Sequence, residues 1–408
     1  MSKPWVSKMW TVSPHNFNEE ALSGLRFPKK VYIYDVTLRD GEQCPGVVFN
    51  KDDKVKIAQA LDELRVHRLE AGMPAVSDED FQAVKEIAHL GLQTKVKSFA
   101  RARRDDIDLA LKCDVWGVII ELPSSKPLIE WGYKWTEGKV IDLATEAAIY
   151  AKDHGLHVTF FSIDSTRADL EFLEKLYGTV VKEGKADAVA IVDTFGVISP
   201  WGFAYLVDKI KAKVGVPVEV HVHNDLGLAT ANTIAAVGAG AEVVHTNING
   251  LGERSGGAAL EEVAVGLRLL CGVELGLDYS KLYQTSRLVE DISGVEMPPI
   301  KPIVGTQSFA YEGGIPVMFC RRFREKGYPQ GGLPYLPEFV GGEFKIIMGK
   351  KSGSYSILEK LDQFGLEATD EQVREILNKV KDESLKRKSA ISDDVLRRII
   401  KGVGGIEA

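Results

Sequence analysis

Residues 188–223, "AVAIVDTFGVISPWGFAYLVDKIKAKVGVPVEVHVH", contain two short β-branched runs with a segment of helical spacing between them. The runs "AVAIVD" (188–193) and "VEVHVH" (218–223) predict strands, and "WGFAYLVDKIKAKVG" (201–215) predicts a helix that closes on glycine. A strand, a helix and a second strand in this order are typical of a βαβ unit. The stretch therefore predicts parallel strands that are joined by helices.

The same pattern recurs from residue 31 to about residue 272. Six further strands are predicted, each followed by an amphipathic segment, at residues 31–36, 68–72, 94–99, 115–122, 157–162 and 242–247. Eight such units match the size of a closed (β/α)₈ barrel. An open doubly wound sheet also fits the alternation, but no GxGxxG motif follows the first strand. We therefore predict an α/β fold: a (β/α)₈ TIM barrel followed by a smaller, mostly helical C-terminal region.

The composition changes on either side of this barrel. We expect an N-terminal arm over residues 1–30, a catalytic TIM-barrel domain over 31–275 and a linker subdomain, rich in proline, glycine and aromatic residues, over 276–345. Residues 346–408 predict a helical C-terminal subdomain, in which Thr369 and Gln372 form a capping box.

Charge and cysteine usage narrow the class of protein. The formal net charge is −7, and lysine and arginine are scattered among acidic residues, so we expect no nucleic-acid partner. The four cysteines lie far apart with no CxxC pair, which favours reduced thiols. No apolar run approaches the roughly 20 residues of a membrane span, and the first residues lack the apolar stretch of a signal peptide. We expect a cytoplasmic enzyme that does not bind a membrane.

Two polar clusters fall at the ends of distant strands. His221 and His223 share one face of the seventh strand, because side chains of a strand alternate between its two faces. The first strand runs into "DVTLRDGEQ" (35–43), and strand ends of a barrel share one rim, so Arg39 and Asp40 lie nearby. A carboxylate and two imidazoles are a common ligand set for one divalent metal, without distinguishing Mn²⁺, Mg²⁺, Zn²⁺ and Co²⁺. The alternative is two core histidines satisfied by hydrogen bonds.

Other strand ends add polar groups that are weak signals singly, because helix caps and surface ion pairs use the same residue types. These groups are Glu70, Arg101, Glu121, Asp164, Arg167, Asp193 and Thr194. After the eighth strand, "NGLGERSGGAALEE" (249–262) is a glycine-rich turn that runs into a helix. It predicts either a cradle for phosphate or carboxylate or a bare turn.

Three motifs together resemble the signature of the DRE-TIM metallolyase superfamily. They are "TLRDGEQ" (37–43), "HVHNDLGLATAN" (221–232) and "NGLGERSGGAALEE" (249–262), and "GKKSG" (349–353) is similar to a fourth. The pattern is most similar to the group of 2-isopropylmalate, homocitrate, citramalate and Re-face citrate synthases. This resemblance implies a Claisen-type condensation of an acyl-CoA, usually acetyl-CoA, with a metal-chelated 2-oxo acid.

Carried over residue by residue, the resemblance makes Asp40, His221 and His223 the metal ligands. Arg39 would polarise the ketone and stabilise the alkoxide, and Thr194 would hold the carboxylate of the 2-oxo acid. The groups around the metal and the substrates would be Gln43, Glu70 and Glu219, of which we expect Gln43 to bind substrate and Glu70 to be catalytic.

The sequence departs from these synthases where they abstract a proton. "FAYEGGIP" (309–316) carries Tyr311 in place of the usual histidine, and no histidine follows His245. An acid expected after the fifth strand aligns with Ile163, and an asparagine of some members aligns with Gly257. The candidates to take over proton transfer are Tyr311, Glu312, Asp164 and Tyr335, and our catalytic prediction is Tyr311.

The departure leaves other functions open. One is a metal-dependent carbon–carbon lyase or aldolase that cleaves a hydroxy acid, and another is a catalytically silent binding protein. The lyases that cleave 3-hydroxy-3-methylglutaryl-CoA use a cysteine after strand eight, and "GLGERSGG" has none, which favours condensation.

The 2-oxo acid is not identified by the sequence. Phe99, Ile120 and Pro123 predict an apolar wall, whereas Arg101 and Arg167 could bind a second carboxylate, and we slightly favour a dicarboxylate. We expect a homodimer, because the N-terminal arm and the linker offer apolar surface that a second subunit would cover.

Overall fold

The computed structural model describes residues 3–405. These residues cluster into two units: the barrel unit, residues 15–297, and the C-terminal unit, residues 298–405 together with residues 3–14. The expected boundaries at residues 30, 275 and 345 stay a prediction.

Eight parallel strands close the barrel in chain order. They are β1 (Tyr32–Asp35), β2 (Arg68–Glu70), β3 (Lys95–Arg101), β4 (Gly117–Pro123), β5 (His157–Ile163), β6 (Ala188–Asp193), β7 (Val218–Val222) and β8 (Val243–Thr246). Closure is made by β1, in which Tyr34 pairs with Arg68 of β2 on one side and with His245 of β8 on the other. The prediction of a (β/α)₈ TIM barrel is confirmed.

Nine helices of the described barrel unit surround these strands. They are α1 (Lys51–Glu63), α2 (Asp78–His89), α3 (Arg104–Lys112), α4 (Glu137–Asp153), α5 (Leu170–Lys182), α6 (Pro200–Lys211), α7 (Ala229–Gly238), α8 (Leu260–Leu270) and α9 (Leu282–Ser293). Side-chain N-caps begin several of them, as at Ser77 of α2 and Ser199 of α6, because the first N–H groups of a helix have no partner inside it. A short π-helical turn, Leu128–Gly132, precedes α4.

The inward faces of the strands form an apolar layer towards the mouth of the barrel. Its buried members are Tyr34, Val36, Phe99, Ile119, Phe161, Ala190, Val192 and Val243. Phe99 and Phe161 meet edge to face with their ring centres 5.6 Å apart. Alternation along β4 turns Ile119 inwards and Ile120 outwards, so Ile120 is not the pocket wall that we expected.

A charged network fills the barrel beside this layer. Glu219 accepts hydrogen bonds from Arg68 at 2.8 Å and Thr159 at 3.1 Å, and lies 2.9 Å from Nε2 of His245. Burial lowers the pKa of the fully buried Lys97 to about 8. Burial opposes ionisation of Glu219, but the cations around it outweigh this effect and hold its pKa below the usual range. Glu219 therefore balances charge inside the barrel, and through His245 it lies next to the ring of His221.

The C-terminal unit contains a two-stranded parallel sheet, β9 (Ala310–Tyr311) and β10 (Lys345–Ile346), and four helices. The helices are α10 (Gly314–Glu325), α11 (Ser354–Phe364), α12 (Asp370–Arg387) and α13 (Asp393–Lys401). The predicted capping box of Thr369 and Gln372 is present at the start of α12. Residues of the N-terminal arm pack here, since the rings of Trp10 and Phe339 lie 5.3 Å apart.

Two sequence motifs meet in the C-terminal unit. The backbone N–H of Lys351, in "GKKSG", donates to Oε1 of Glu312, in "FAYEGGIP", at 2.8 Å. A Cβ on Gly314 would lie 2.6 Å from Cα of Gly353, so only glycine permits this approach. Among residues 3–405, no helix combines the length and apolar character that crossing a membrane requires.

Candidate metal centre and active site

The three side chains predicted as metal ligands lie together at the carboxyl end of the barrel. Asp40 follows β1, His221 lies on β7 and His223 comes directly after β7. Oδ1 of Asp40 is 3.5 Å from Nε2 of His221 and 3.8 Å from Nε2 of His223. The two Nε2 atoms are 3.3 Å apart, and all three side chains are buried. Closure of the barrel thus brings the first and seventh strand ends to one point.

The spacing of these atoms fits a divalent metal. Ligand atoms about 2.1 Å from one ion lie about 3.0 Å apart at octahedral angles and about 3.4 Å apart at tetrahedral angles. The observed separations of 3.3, 3.5 and 3.8 Å are close to these values. The donor set of one carboxylate and two imidazoles is common at catalytic metal sites that keep positions open for substrate.

The charge states of the three groups suit the same role. Burial lowers the pKa of His221 and of His223, to about 4 for His223. Burial opposes ionisation of Asp40, but His221 and Arg39 outweigh it and hold the pKa of Asp40 below its usual range. Neutral imidazoles and an ionised carboxylate are the forms that bind a metal, so little proton release would accompany binding near neutral pH.

Packing orients the histidine rings. The ring of His221 lies 5.2 Å from Phe161 and 5.4 Å from His245. Nδ1 of His221 and Nδ1 of His223 are buried without a hydrogen-bond partner in the described part of the chain. Aromatic contacts, and not hydrogen bonds to Nδ1, therefore hold Nε2 of each ring towards Asp40.

Asn247, at the end of β8, is a member of the site that the sequence analysis missed. Its Nδ2 donates to Oδ2 of Asp40 at 3.2 Å. A Cβ on Gly257 would lie 2.5 Å from Oδ1 of Asn247, so the position that carries an asparagine in some synthases has no room for a side chain here. Alternation along β8, which turns Val243, His245 and Asn247 inwards, is the signal that could have identified it.

Arg39 is fixed beside Asp40 by four contacts. Its Nε donates to Glu70 at 2.6 Å, and its Nη1 lies 3.3 Å from both Oδ1 of Asp40 and Oε1 of Gln43. The guanidinium also stacks over Phe99 at 4.1 Å. Nη2 is buried and has no acceptor among residues 3–405. The arrangement leaves the Nη2 amino group of Arg39 for a ligand oxygen, while Glu70 holds the guanidinium in place.

Thr194, after β6, has a hydroxyl that can donate. Its Oγ1 accepts the backbone N–H of Asp164 at 2.8 Å, which leaves the hydroxyl hydrogen for another acceptor. Arg254 donates to the carbonyl of Thr194 at 2.6 Å and to Asp225 at 2.8 Å, and the sequence analysis did not single out Arg254. This residue belongs to the turn after β8, so it ties that turn to the end of β6.

Arg101 and Arg167 each have a carboxylate partner already. Arg101 makes two hydrogen bonds of 2.8 Å with Asp106, near the start of α3. Arg167 pairs with the buried Asp164 at 2.8 Å through both Nε and Nη2 and stacks on Phe195. Binding of a substrate carboxylate by either guanidinium would have to replace or share these pairs.

The glycine-rich turn after β8 uses some of its N–H groups internally. The N–H of Gly257 donates to the carbonyl of Gly250 at 3.1 Å, and that of Gly256 donates to Glu253 at 2.9 Å. Gly256 has φ +80°, and a Cβ there would lie 1.9 Å from the Gly250 carbonyl oxygen. These contacts hold the turn and pack Gly252 against Asp40, whereas the N–H groups of residues 252–255 make no backbone hydrogen bond within residues 3–405, so both interpretations of the turn stay predictions.

Glu121 lies at the end of β4 and, unlike Asp106 and Asp164, is not paired with an arginine. Its carboxyl makes no hydrogen bond or ion pair within residues 3–405 and is partly exposed. Burial raises its pKa to about 7, although nearby Arg39 acts in the opposite direction. A carboxyl of this kind near a catalytic cleft is a candidate functional group.

Tyr311, our predicted proton-transfer residue, lies on β9 of the C-terminal unit. Its hydroxyl donates to the carbonyl of Gly332 at 3.3 Å, and its ring packs near Phe344. Burial raises the pKa of this phenol, so it is protonated at neutral pH.

Known proteins share this chain's sequence and its barrel. A homocitrate synthase of Methanothermobacter thermautotrophicus is 41% identical over 394 residues, covering 97% of this chain and 98% of the relative. An (R)-citramalate synthase of Methanocaldococcus jannaschii is 42% identical, covering 92% of this chain and 75% of the relative. A crystal structure of the HMG-CoA lyase of Bacillus subtilis shares the fold, with a TM-score of 0.61 and 18% identity, covering 67% of this chain and 97% of that one.

The family model described as HMGL-like matches residues 30–289, which span the whole barrel. This match includes β1 with Asp40, β7 with both histidines and β8 with Asn247. Together with the full-length similarity to the synthases, it shows that the chain belongs to the HMGL-like family.

Proposed function

We propose that this protein is an acyltransferase that condenses an acyl-CoA, acetyl-CoA in the simplest case, with a 2-oxo acid. The observation that carries the proposal is the buried cluster of Asp40, His221 and His223 beside Arg39, in a chain 41% identical to a homocitrate synthase over nearly its whole length. In this Claisen-type reaction the α-carbon of the acyl group bonds to the ketone carbon of the acid. Hydrolysis of the thioester then releases free CoA and a 2-hydroxy di- or tricarboxylic acid.

Asp40, His221 and His223 would hold one divalent ion, with Mn²⁺, Mg²⁺, Zn²⁺ and Co²⁺ as candidates. When bound, such an ion supplies a Lewis acid that draws electron density from the ketone and fixes the orientation of the 2-oxo acid. The acid offers a carboxylate and a ketone oxygen, which together make a chelate.

The protein's own groups complete the acceptor site. The free Nη2 of Arg39 would donate to the ketone oxygen and stabilise the negative charge that develops there. Glu70 acts by positioning Arg39, and Gln43 sits on the outer side of the same guanidinium. The hydroxyl of Thr194 would donate to the carboxylate of the 2-oxo acid.

Cysteine chemistry supports the proposed cytoplasmic location. All four cysteines are free thiols, and Cys113 and Cys320 are buried. Burial raises the pKa of Cys113 to about 11, so it is an unreactive thiol at neutral pH. Unpaired thiols of this kind are typical of proteins in a reducing compartment.

Metal binding should need all three ligands and should resist mild acid. We expect one divalent ion per chain, weaker binding in His221→Ala, and no change in the exposed control His89→Ala. Because burial lowers the pKa of both histidines below the usual value, to about 4 for His223, both imidazoles are neutral near pH 7 and protons compete little there. A metal dissociation constant measured by chelator competition should change less than about threefold between pH 7.5 and 6.5. Full metal occupancy in a triple alanine variant of the ligands would contradict the site.

Condensation is tested by the release of thiol from acetyl-CoA with a panel of 2-oxo acids. Arg39→Lys should lower kcat by about a hundredfold or more, because a lysine cannot keep the Glu70 contact and also donate to the ketone oxygen. Arg103→Lys, on an exposed arginine paired with Asp105, is the matched control. If no acid releases CoA while a CoA-free hydroxy acid is cleaved, the protein is a lyase instead.

We propose Tyr311 as a proton-transfer group in the place of the synthase histidine: its phenol, protonated at neutral pH, would donate a proton during the reaction, and a separate group would accept the α-proton of the acyl-CoA. Tyr311→Phe should lower kcat by about tenfold or more and leave the KM for the 2-oxo acid nearly unchanged, since the hydroxyl moves a proton and does not bind the acid. Tyr355→Phe, which removes a hydroxyl bonded to Arg322 in the same unit, is the control. An unchanged kcat in Tyr311→Phe would assign proton transfer to another group.

We also propose a homodimer. The C-terminal unit leaves Ile300, Ile315 and Phe319 exposed at 77, 66 and 49%, and association would remove this apolar surface from water. Sedimentation velocity at micromolar concentration should give a dimer, and Ile315→Ser should weaken it. A monomer for the unaltered protein would refute the proposal.

A further inference from the structure

We propose that Glu121 selects the 2-oxo acid, by rejecting acceptors with a second carboxylate and admitting acids whose chain is uncharged. This inference rests on the proposed function, because it names the substrate class of the same acceptor site. It replaces the slight preference for a dicarboxylate that the sequence suggested.

The register of the barrel puts Glu121 at the mouth beside Arg39. Alternation along β4 turns Glu121 to the interior, one step nearer the mouth than the inward-facing Ile119. The partner of Ile119 on β3 is Phe99, and the guanidinium of Arg39 stacks on Phe99 at 4.1 Å. Glu121 is close enough to Arg39 for their charges to interact. The carboxyl therefore lies at the mouth of the barrel, near the guanidinium that would bind the 2-oxo acid.

The carboxyl of Glu121 is not used by the protein itself. The neighbouring carboxylates Glu70 and Asp106 are each bound by an arginine, whereas Glu121 has no hydrogen bond or ion pair among the described residues. It is also partly exposed, so a ligand in the mouth can reach it. An ionised Glu121 in this position would interact electrostatically with any ligand that enters the mouth of the barrel.

Apolar side chains make up much of this wall. Phe99 and Phe161 are buried there, and Met73 and Ile163 pack against them and are partly buried. The two arginines that the sequence offered for a second carboxylate, Arg101 and Arg167, are paired with Asp106 and Asp164 in two-bond contacts.

An entering dicarboxylate would thus meet an apolar wall and a like charge. At pH 8.5, above the pKa of about 7 that burial gives Glu121, its carboxyl is ionised, and a second carboxylate about 6 Å away is disfavoured by up to roughly thirtyfold, the limit set by protonation of Glu121. A short uncharged chain meets no such repulsion and gains apolar contact instead. A site that favours a dicarboxylate would need a cation, such as an unpaired guanidinium, to bind the second carboxylate. This wall has the carboxyl of Glu121 instead.

The test compares pyruvate and 2-oxoglutarate as acceptors with acetyl-CoA at pH 8.5, above the pKa of about 7 of Glu121, so that this carboxyl is ionised. For the unaltered enzyme we expect a higher kcat/KM with pyruvate. Glu121→Gln, which keeps the shape and removes the charge, should raise the ratio of 2-oxoglutarate to pyruvate in kcat/KM at least tenfold. Glu130→Gln is the matched control, because it removes the same charge from an exposed position after the same strand. That variant should leave the ratio unchanged.

Calorimetric binding of the two acids to the metal-loaded protein without acetyl-CoA separates this inference from the proposed function. Tighter binding of 2-oxoglutarate in Glu121→Gln supports the inference even if no CoA is released, in which case the condensation alone fails. A preference of the unaltered enzyme for 2-oxoglutarate, or a ratio within twofold of the original in Glu121→Gln, overturns the inference and leaves condensation standing. Should Glu121→Gln not fold, Glu121→Ala is measured in the same way, and the same change in the ratio supports or overturns the inference.

Discussion

Pairing of β1 with β8 is the constraint on which the site depends. In this register Tyr34 lies opposite His245 and Asp35 opposite Thr246, so the turn after β1 stands beside the end of β8. The hydrogen bond from Asn247 to Asp40 joins groups 207 positions apart in the sequence. A shift of one residue would turn the inward side chains of the strand outwards and would separate Asp40 from the histidines of β7.

Charge is balanced in two places inside the barrel. In the core, Glu219 is surrounded by Arg68, Lys97 and His245. Nearer the mouth, Arg39 lies between Glu70 and Asp40, with side-chain exposures of 11, 0 and 1%. Removing one member of a buried charge pair typically costs about 3–5 kcal/mol, so these residues stabilise the fold as a group. They also hold the three candidate metal ligands and the free Nη2 group of Arg39 in fixed positions.

The limits of sequence reasoning are visible in individual residues. His221, His223 and Asp40 could be predicted, because a period of two and the end of a strand place them without knowledge of contacts. Arg101 could also be identified from the sequence as a polar residue after a strand. Its pairing with Asp106 depends on how α3 begins, which local sequence patterns do not predict. Asn247 was missed because a single asparagine after a strand is also typical of a turn.

The sequence by itself determined the barrel, its strand order and the rim where polar groups collect, since these follow from hydrophobic periodicity and from the repeat of strand and helix. Only the tertiary structure decided which of those groups are free to act. Glu70, Arg101 and Arg167 are held by partners, whereas Glu121 and Nη2 of Arg39 are not. The physical reason is that pairing depends on distances of a few ångströms between segments far apart in the chain, which are set only when the barrel closes.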